Sequence, residues 1–209
     1  MLILKSDLSE WIKGVNFEGD IKEDSANLLS YHGYNEIAEH SVKVAYEAKR
    51  IANKFGYDGE KAFISGCLHD IGNIIPLERR LSICKELGIE VLEEEGIVKH
   101  LLHQKLSKMM AQEIFGINDK DILNAIECHT TLKASATLLD MILFIADKLS
   151  WDYAHKKGFV NEVSEEIEKS LEHGVLAYFN YLAKHMEEVK VFHPWLIDAH
   201  RELNGKLKE

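Results

Sequence analysis

The stretch LLDMILFIADKLSW, Leu138 to Trp151, decides the fold. Apolar residues occupy almost every face of a helix drawn through it, so it predicts a helix buried nearly all round. Thr137 stands where a helix cap belongs. A helix buried on all sides needs other helices around it. Elsewhere apolar residues recur at spacings of three and four, β-branched runs are short, and only Pro76 and Pro194 interrupt. The fold class is therefore all-α, a helical bundle.

Punctuation sets the expected elements. Asp7 caps a first short helix carrying Leu8, Trp11 and Ile12. A long helix runs from Tyr34 to Phe55 and stops at Gly56. The next, Gly59 to Asp70, ends at Gly72 and the Pro76 loop, and Pro76 to Leu87 is closed by Gly88. A short helix lies near Val91, another spans Ile97 to Phe115, and Asn118 or Asp119 caps one running through His129. Lys156, Lys157 and Gly158 form a hinge. Beyond it, Val160 to about Glu188 reads as one amphipathic helix, and Pro194 starts the last. Residues 1–155 form the main domain, and residues 156–209 are C-terminal helices packing on it.

Composition narrows the class. A chain of 209 residues, 46% hydrophobic and 29% charged, folds as one globular unit without staples. A net charge of −10 with no basic block argues against a nucleic-acid partner. The longest apolar run, Met141 to Ala146, is far short of the roughly 20 residues of a membrane span. The start, MLILKSDLSEW, is acidic early and lacks a small-residue cleavage site, unlike a signal peptide. Cys67, Cys84 and Cys128 show no CxxC spacing and read as buried thiols in a reducing cytoplasm. The Glu93 to Glu95 run reads as a solvated face.

Eleven histidines are the compositional oddity. His40 aligns with Val44, Ala48, Ile51 and Phe55; His103 with Leu106, Met110 and Ile114; His129 with Ile122, Ala125 and Ile126. Three helices thus each turn an imidazole inward, which is costly unless the rings share a partner. Asp147 lies within an apolar run, and Asp140 is a structural group. His69–Asp70 closes a small apolar helix in which Gly66 leaves room for a close neighbour. Imidazole with carboxylate and no thiolate suits Fe, Mn, Ni, Co or Zn. Six ligands suit two ions, with Asp70 as the bridge, His40, His69 and Asp147 on one ion, and His103 with His129 on the other. Two divalent ions leave a local charge of about +2, a pocket for an anionic substrate in an acidic protein.

The order His … His-Asp … His … His … Asp resembles the HD superfamily of metal-dependent phosphohydrolases. More closely, it resembles the YqeK-type branch, the symmetrical bis(5′-nucleosyl)-tetraphosphatases. The segments that carry the resemblance are EHSVKVAYEAKRIANKFG, AFISGCLHDIG, KHLLHQKLSKMMAQEIFGINDKDILNAIECHTT and LLDMILFIADKL, about residues 37 to 149. The resemblance implies an HD-domain helical bundle with a dinuclear centre, iron foremost, in divalent or mixed-valence form. It implies cleavage of diadenosine tetraphosphate to two ADP, with His69 and Asp70 as the catalytic dipeptide. The alternatives are a nucleotidase or phosphodiesterase acting on a mononucleotide or signalling nucleotide, and a non-catalytic regulatory helical domain.

The chain departs from that branch in three places. HD-x-A-K is here HDIGN, so Asn73 replaces a lysine; the loop Gly-Arg-Pro-Gly-Met is here Leu132 to Ala136; and ADYIEP is here ADKLSW. Substrate contacts are expected at Lys133, Thr130, Lys148 and Asn73. His100 is weighed as a pocket residue and Trp151 as a core anchor or base stacker. The partner is a small nucleotide, and the helix after Gly158 leaves room for a homodimer face.

Overall fold

The computed structural model describes residues 6–151, 158–185 and 191–208, with the side chains of residues 6 and 7 outside the description. All its regular elements there are helical. In chain order they are α1 (Ser6–Ile12), α2 (Ile21–Tyr31), α3 (Asn35–Lys54), α4 (Gly59–Leu68), α5 (Leu77–Glu86), α6 (Glu93–Ile97) and α7 (Leu102–Glu113). Then come α8 (Lys120–Cys128), α9 (Leu138–Ser150), α10 (Phe159–Ile167), α11 (Leu171–Lys184) and α12 (Pro194–Lys206). Short 3-10 turns at Ile71–Ile74 and Lys99–Leu101 precede α5 and α7. No helix among the described residues is long and apolar enough to cross a membrane.

Helix α9 is the centre expected of it. Every residue from Leu139 to Lys148 is buried, and α3, α4, α8 and α11 pack round it. Thr137 and Asp140 start it by a reciprocal cap, each side chain accepting from the other's backbone N–H. That fixes Asp140 as a structural residue. Gly66 brings α4 against α3: a Cβ there would lie 2.4 Å from the Ala45 Cα.

Three elements differ from expectation. Helix α2 was not foreseen, because the buried polar residues Asp24 and Ser25 interrupt its apolar stripe; Asp24 accepts the Glu18 and Gly19 backbone N–H groups, both at 2.8 Å. The Ile97 to Phe115 helix is broken at Val98 and the 3-10 turn. The helix expected after Val160 is two, because extended Ser170 ends one run and caps the next. Gly174 there packs on Ile167, making α10 and α11 a close hairpin. Their apolar residues Val163, Ile167, Leu171, Val175 and Phe179 are buried within the chain, so that stripe is not a free dimer face. The capping role of Asp7, the Lys156–Lys157 hinge and the end near Glu188 lie outside the described residues.

The Glu93 to Glu95 run is only partly a solvated face. Glu95 is 0% exposed, accepting from Lys105 at 2.7 Å and from the backbone of Leu92 at 2.8 Å. His193, the cap of α12, lies 3.3 Å from its other oxygen. This pairing ties the C-terminal helix to α6 and α7.

Candidate metal centre

Helix ends, more than helix middles, deliver the side chains. His69 is the C-cap of α4 and His129 the C-cap of α8; Asp70 opens the 3-10 turn. His40 lies on α3, His103 on the first turn of α7 and Asp147 late on α9. Gly72 lets this turn approach α7: a Cβ there would lie 2.5 Å from the His103 carbonyl oxygen.

The six side chains meet. His40 Nε2 is 3.0 Å from Asp147 Oδ1. His69 Nε2 is 3.4 Å from Asp70 Oδ2 and 3.7 Å from Asp147 Oδ1. Asp70 Oδ1 lies 3.2 Å from His103 Nε2 and 3.7 Å from His129 Nε2. All six residues are buried. Two triads, His40–His69–Asp147 and His69–Asp70–His129, have ligand atoms close enough together to hold a metal ion.

Tautomers say what fits between them. Nδ1 of His69, His103 and His129 lies 2.7–2.8 Å from the carbonyl three residues earlier, of Gly66, His100 and Ile126. A carbonyl only accepts, so each Nδ1 carries a proton, and each ring in its neutral form turns an Nε2 lone pair inward. His103 Nε2 and His129 Nε2 are 3.1 Å apart; with both rings neutral these are two facing lone pairs, which repel unless a cation joins them. His69 Nε2 is buried with no hydrogen-bond partner. The donor set fits a metal.

Electrostatics agree. Burial pushes the His129 imidazole down, and the His69 and His103 rings push it further, well below its ordinary value. Burial pushes the Asp70 carboxyl up, but His69 and His103 outweigh it and hold it well below the carboxylate range. For His69, burial is the largest influence and pushes down, but the Asp70 and Asp147 carboxylates and the Gly66 carbonyl together outweigh it, leaving it raised. The two carboxylates draw positive charge to the centre.

A cavity of about 190 Å³ opens onto the cluster, lined by Ile37, Asp70, Asn73, His100, His103, His129, Thr130, Asp147, Lys148 and Trp151. Thr130 Oγ1 is 3.3 Å from His103 Nε2. Lys148 donates to Asp147 Oδ2 at 2.6 Å and to the His129 carbonyl at 3.3 Å. Two of the expected substrate contacts have other neighbours in the fold. Lys133 is absent from this cavity; it lines a separate one with Glu172 and Glu202, its Nζ 3.8 Å from Asp140. Asn73 is engaged by the protein itself: its amide donates to Asp70 Oδ1 at 2.8 Å and its oxygen accepts from Arg80 at 2.9 Å. Arg80 had no signal in the sequence, since its role rests on carbonyls of Ile75 and His100 that only the fold brings near.

The loop after His129 carries a backbone signature. Leu132 and Ser135 have φ of 56° and 53°, at the two positions where the resembling branch has glycine. The left-handed turn is kept although the residues that favour it are gone.

The HD domain family matches residues 37–152, and the chain belongs to it. It is an HD-domain hydrolase. A Lactococcus lactis subsp. cremoris relative, "Uncharacterized protein in pepC 5'region", is 42% identical over 70% of this chain and 74% of its own. The Bacillus subtilis protein named "Bis(5'-nucleosyl)-tetraphosphatase, symmetrical" is 31% identical over 52% of this chain and 58% of its own. A crystal structure of a Clostridium acetobutylicum protein, described as a predicted HD superfamily hydrolase involved in NAD metabolism, superposes with a TM-score of 0.81. It is 29% identical, covering 88% of this chain and 97% of that one.

Proposed function

We propose that this chain hydrolyses a nucleotide phosphoanhydride at a dinuclear metal centre, cutting diadenosine tetraphosphate into two ADP. The observation that carries the reading is the 3.1 Å approach of two Nε2 lone pairs whose Nδ1 atoms are both committed to carbonyls. Asp70 turns one oxygen to His69 and the other to His103 and His129, the arrangement of a bridge. His40, His69 and Asp147 would hold one ion, His103 and His129 the other. Iron is the metal we assign, with Mn, Ni, Co and Zn as the other fits to these donors. Bound ions supply Lewis acidity, polarising phosphoryl oxygens and ionising water near neutral pH.

The chain's own residues hold and orient. Asn73 and Arg80 fix Asp70. Lys148 and Thr130 stand at the cavity wall, where a phosphate chain meets them. Burial holds the His100 imidazole down at about 4, with His103 and Arg80 adding to it, so this wall residue is neutral at pH 7. The relatives' name supports the substrate. Residues 1–155 would be the catalytic domain, with 156–209 packed on it, and three buried free thiols fit a reducing cytoplasm.

Product analysis of the metal-loaded protein tests this. Two ADP as sole product supports it. ATP with AMP, or turnover of mononucleotides alone, favours the nucleotidase or phosphodiesterase reading; no turnover with full metal content favours a regulatory domain.

A further inference from the structure

We infer that Trp151 is a positioning residue for the centre, acting through His40 and Asp147; this rests on the metal-centre reading above. His40 differs from the other three imidazoles. Their Nδ1 atoms are pinned to backbone carbonyls, whereas His40 Nδ1 is buried with no hydrogen-bond partner. A ring on two single bonds needs something to fix its plane. The Trp151 indole does so: it stacks on His40 with centroids 3.8 Å apart and planes 22° apart.

The same indole also holds the carboxylate. Its Nε1–H donates to Asp147 Oδ1 at 3.1 Å, the oxygen that faces His40 and His69. Lys148 takes Oδ2 at 2.6 Å. Asp147 is thereby fixed at both oxygens, with Oδ1 directed at the two imidazoles. One side chain thus sets two of the three ligands on one ion, as partners behind a ligand set its orientation and affinity elsewhere. One face of the indole is thus taken up by His40.

The test compares wild type with Trp151→Phe, which keeps an aromatic face and loses the N–H, and with Trp151→Leu, which loses both. Metal stoichiometry and affinity are measured by equilibrium dialysis with Mn(II), alongside intrinsic fluorescence and the KM and kcat for diadenosine tetraphosphate. We expect one of two Mn(II) ions to bind about 10-fold more weakly in Trp151→Phe and more weakly still in Trp151→Leu. kcat falls at limiting metal and recovers with excess, while KM moves less than twofold. Fluorescence quenching on metal loading, strong in wild type, is mostly lost, since Trp11 and Trp195 line no part of this cavity. A circular dichroism melt shows that both variants fold. Wild-type affinity in a folded Trp151→Leu overturns the positioning role alone, and so does raised KM with metal binding intact. Absence of Mn(II) from wild type overturns it together with the metal-centre reading.

Discussion

Asp70 faces three imidazoles with two oxygens and is held by one neutral amide, that of Asn73. Removing it takes the shared ligand from both ions. Asp70→Ala should abolish turnover, by at least about 1,000-fold, and both metals should go with it; elemental analysis beside the activity assay checks the coupling. The two lysines expected to meet substrate line different cavities. Lys148→Met should raise KM by roughly 10-fold, about 1.4 kcal/mol of lost phosphate binding. Lys133→Met, altering a side chain in a different cavity, should leave KM within about twofold. Steady-state kinetics on both variants decides. At this scale the convergence of the buried imidazoles was legible, because His40, His103 and His129 each fall on the apolar stripe of their helix. The contacts made behind them were not. Asn73, Arg80 and Trp151 act through neighbours that sequence periodicity does not name.

Two elements carry backbone constraints that stability measurements can read. Gly66 holds α4 against α3, and Gly66→Ala would drive a Cβ into the Ala45 backbone. The expected loss is about 2–3 kcal/mol, a Tm lower by roughly 5–10 °C in a thermal melt. Ser135 sits at φ 53° on an exposed loop, with its N–H bound to Glu202 at 2.7 Å. Ser135→Gly should stabilise by up to about 1 kcal/mol, strain relief exceeding the entropy of the freer unfolded chain; urea denaturation checks the sign. Capping residues made most boundaries legible, as Asp119 and Thr137 show. Helix α2 was hidden because two polar residues stand on its buried side, and the break at Ser170 because a serine within an amphipathic pattern announces a cap only once its extended backbone is seen.

For the molecule as a whole, Glu95 joins the C-terminal helix to the body. Burial pushes its carboxyl up, but His193, Lys105 and the Leu92 N–H outweigh that and lower it from the ordinary 4.5. A lowered carboxyl contributes stability that is fully present above pH 4.5 and lost as pH falls through the folded value. Stability should therefore drop on the acid side of 4.5. Glu95→Gln should flatten that limb and cost about 3 kcal/mol at pH 7 by leaving Lys105 buried without its countercharge. Urea denaturation from pH 3 to 7 on both proteins checks this. The bundle itself was legible from one apolar segment, α9, whose burial on every side demands helices around it. The Glu95 link was not, because three consecutive glutamates look solvated until the fold covers the last.

The most direct test is elemental analysis of protein purified without chelator, wild type beside Asp70→Ala. Two metal ions per chain in the first and almost none in the second is the result this arrangement of lone pairs predicts. A metal-free wild type that stays empty when offered Fe or Mn, or an Asp70→Ala protein that keeps both ions, would contradict it.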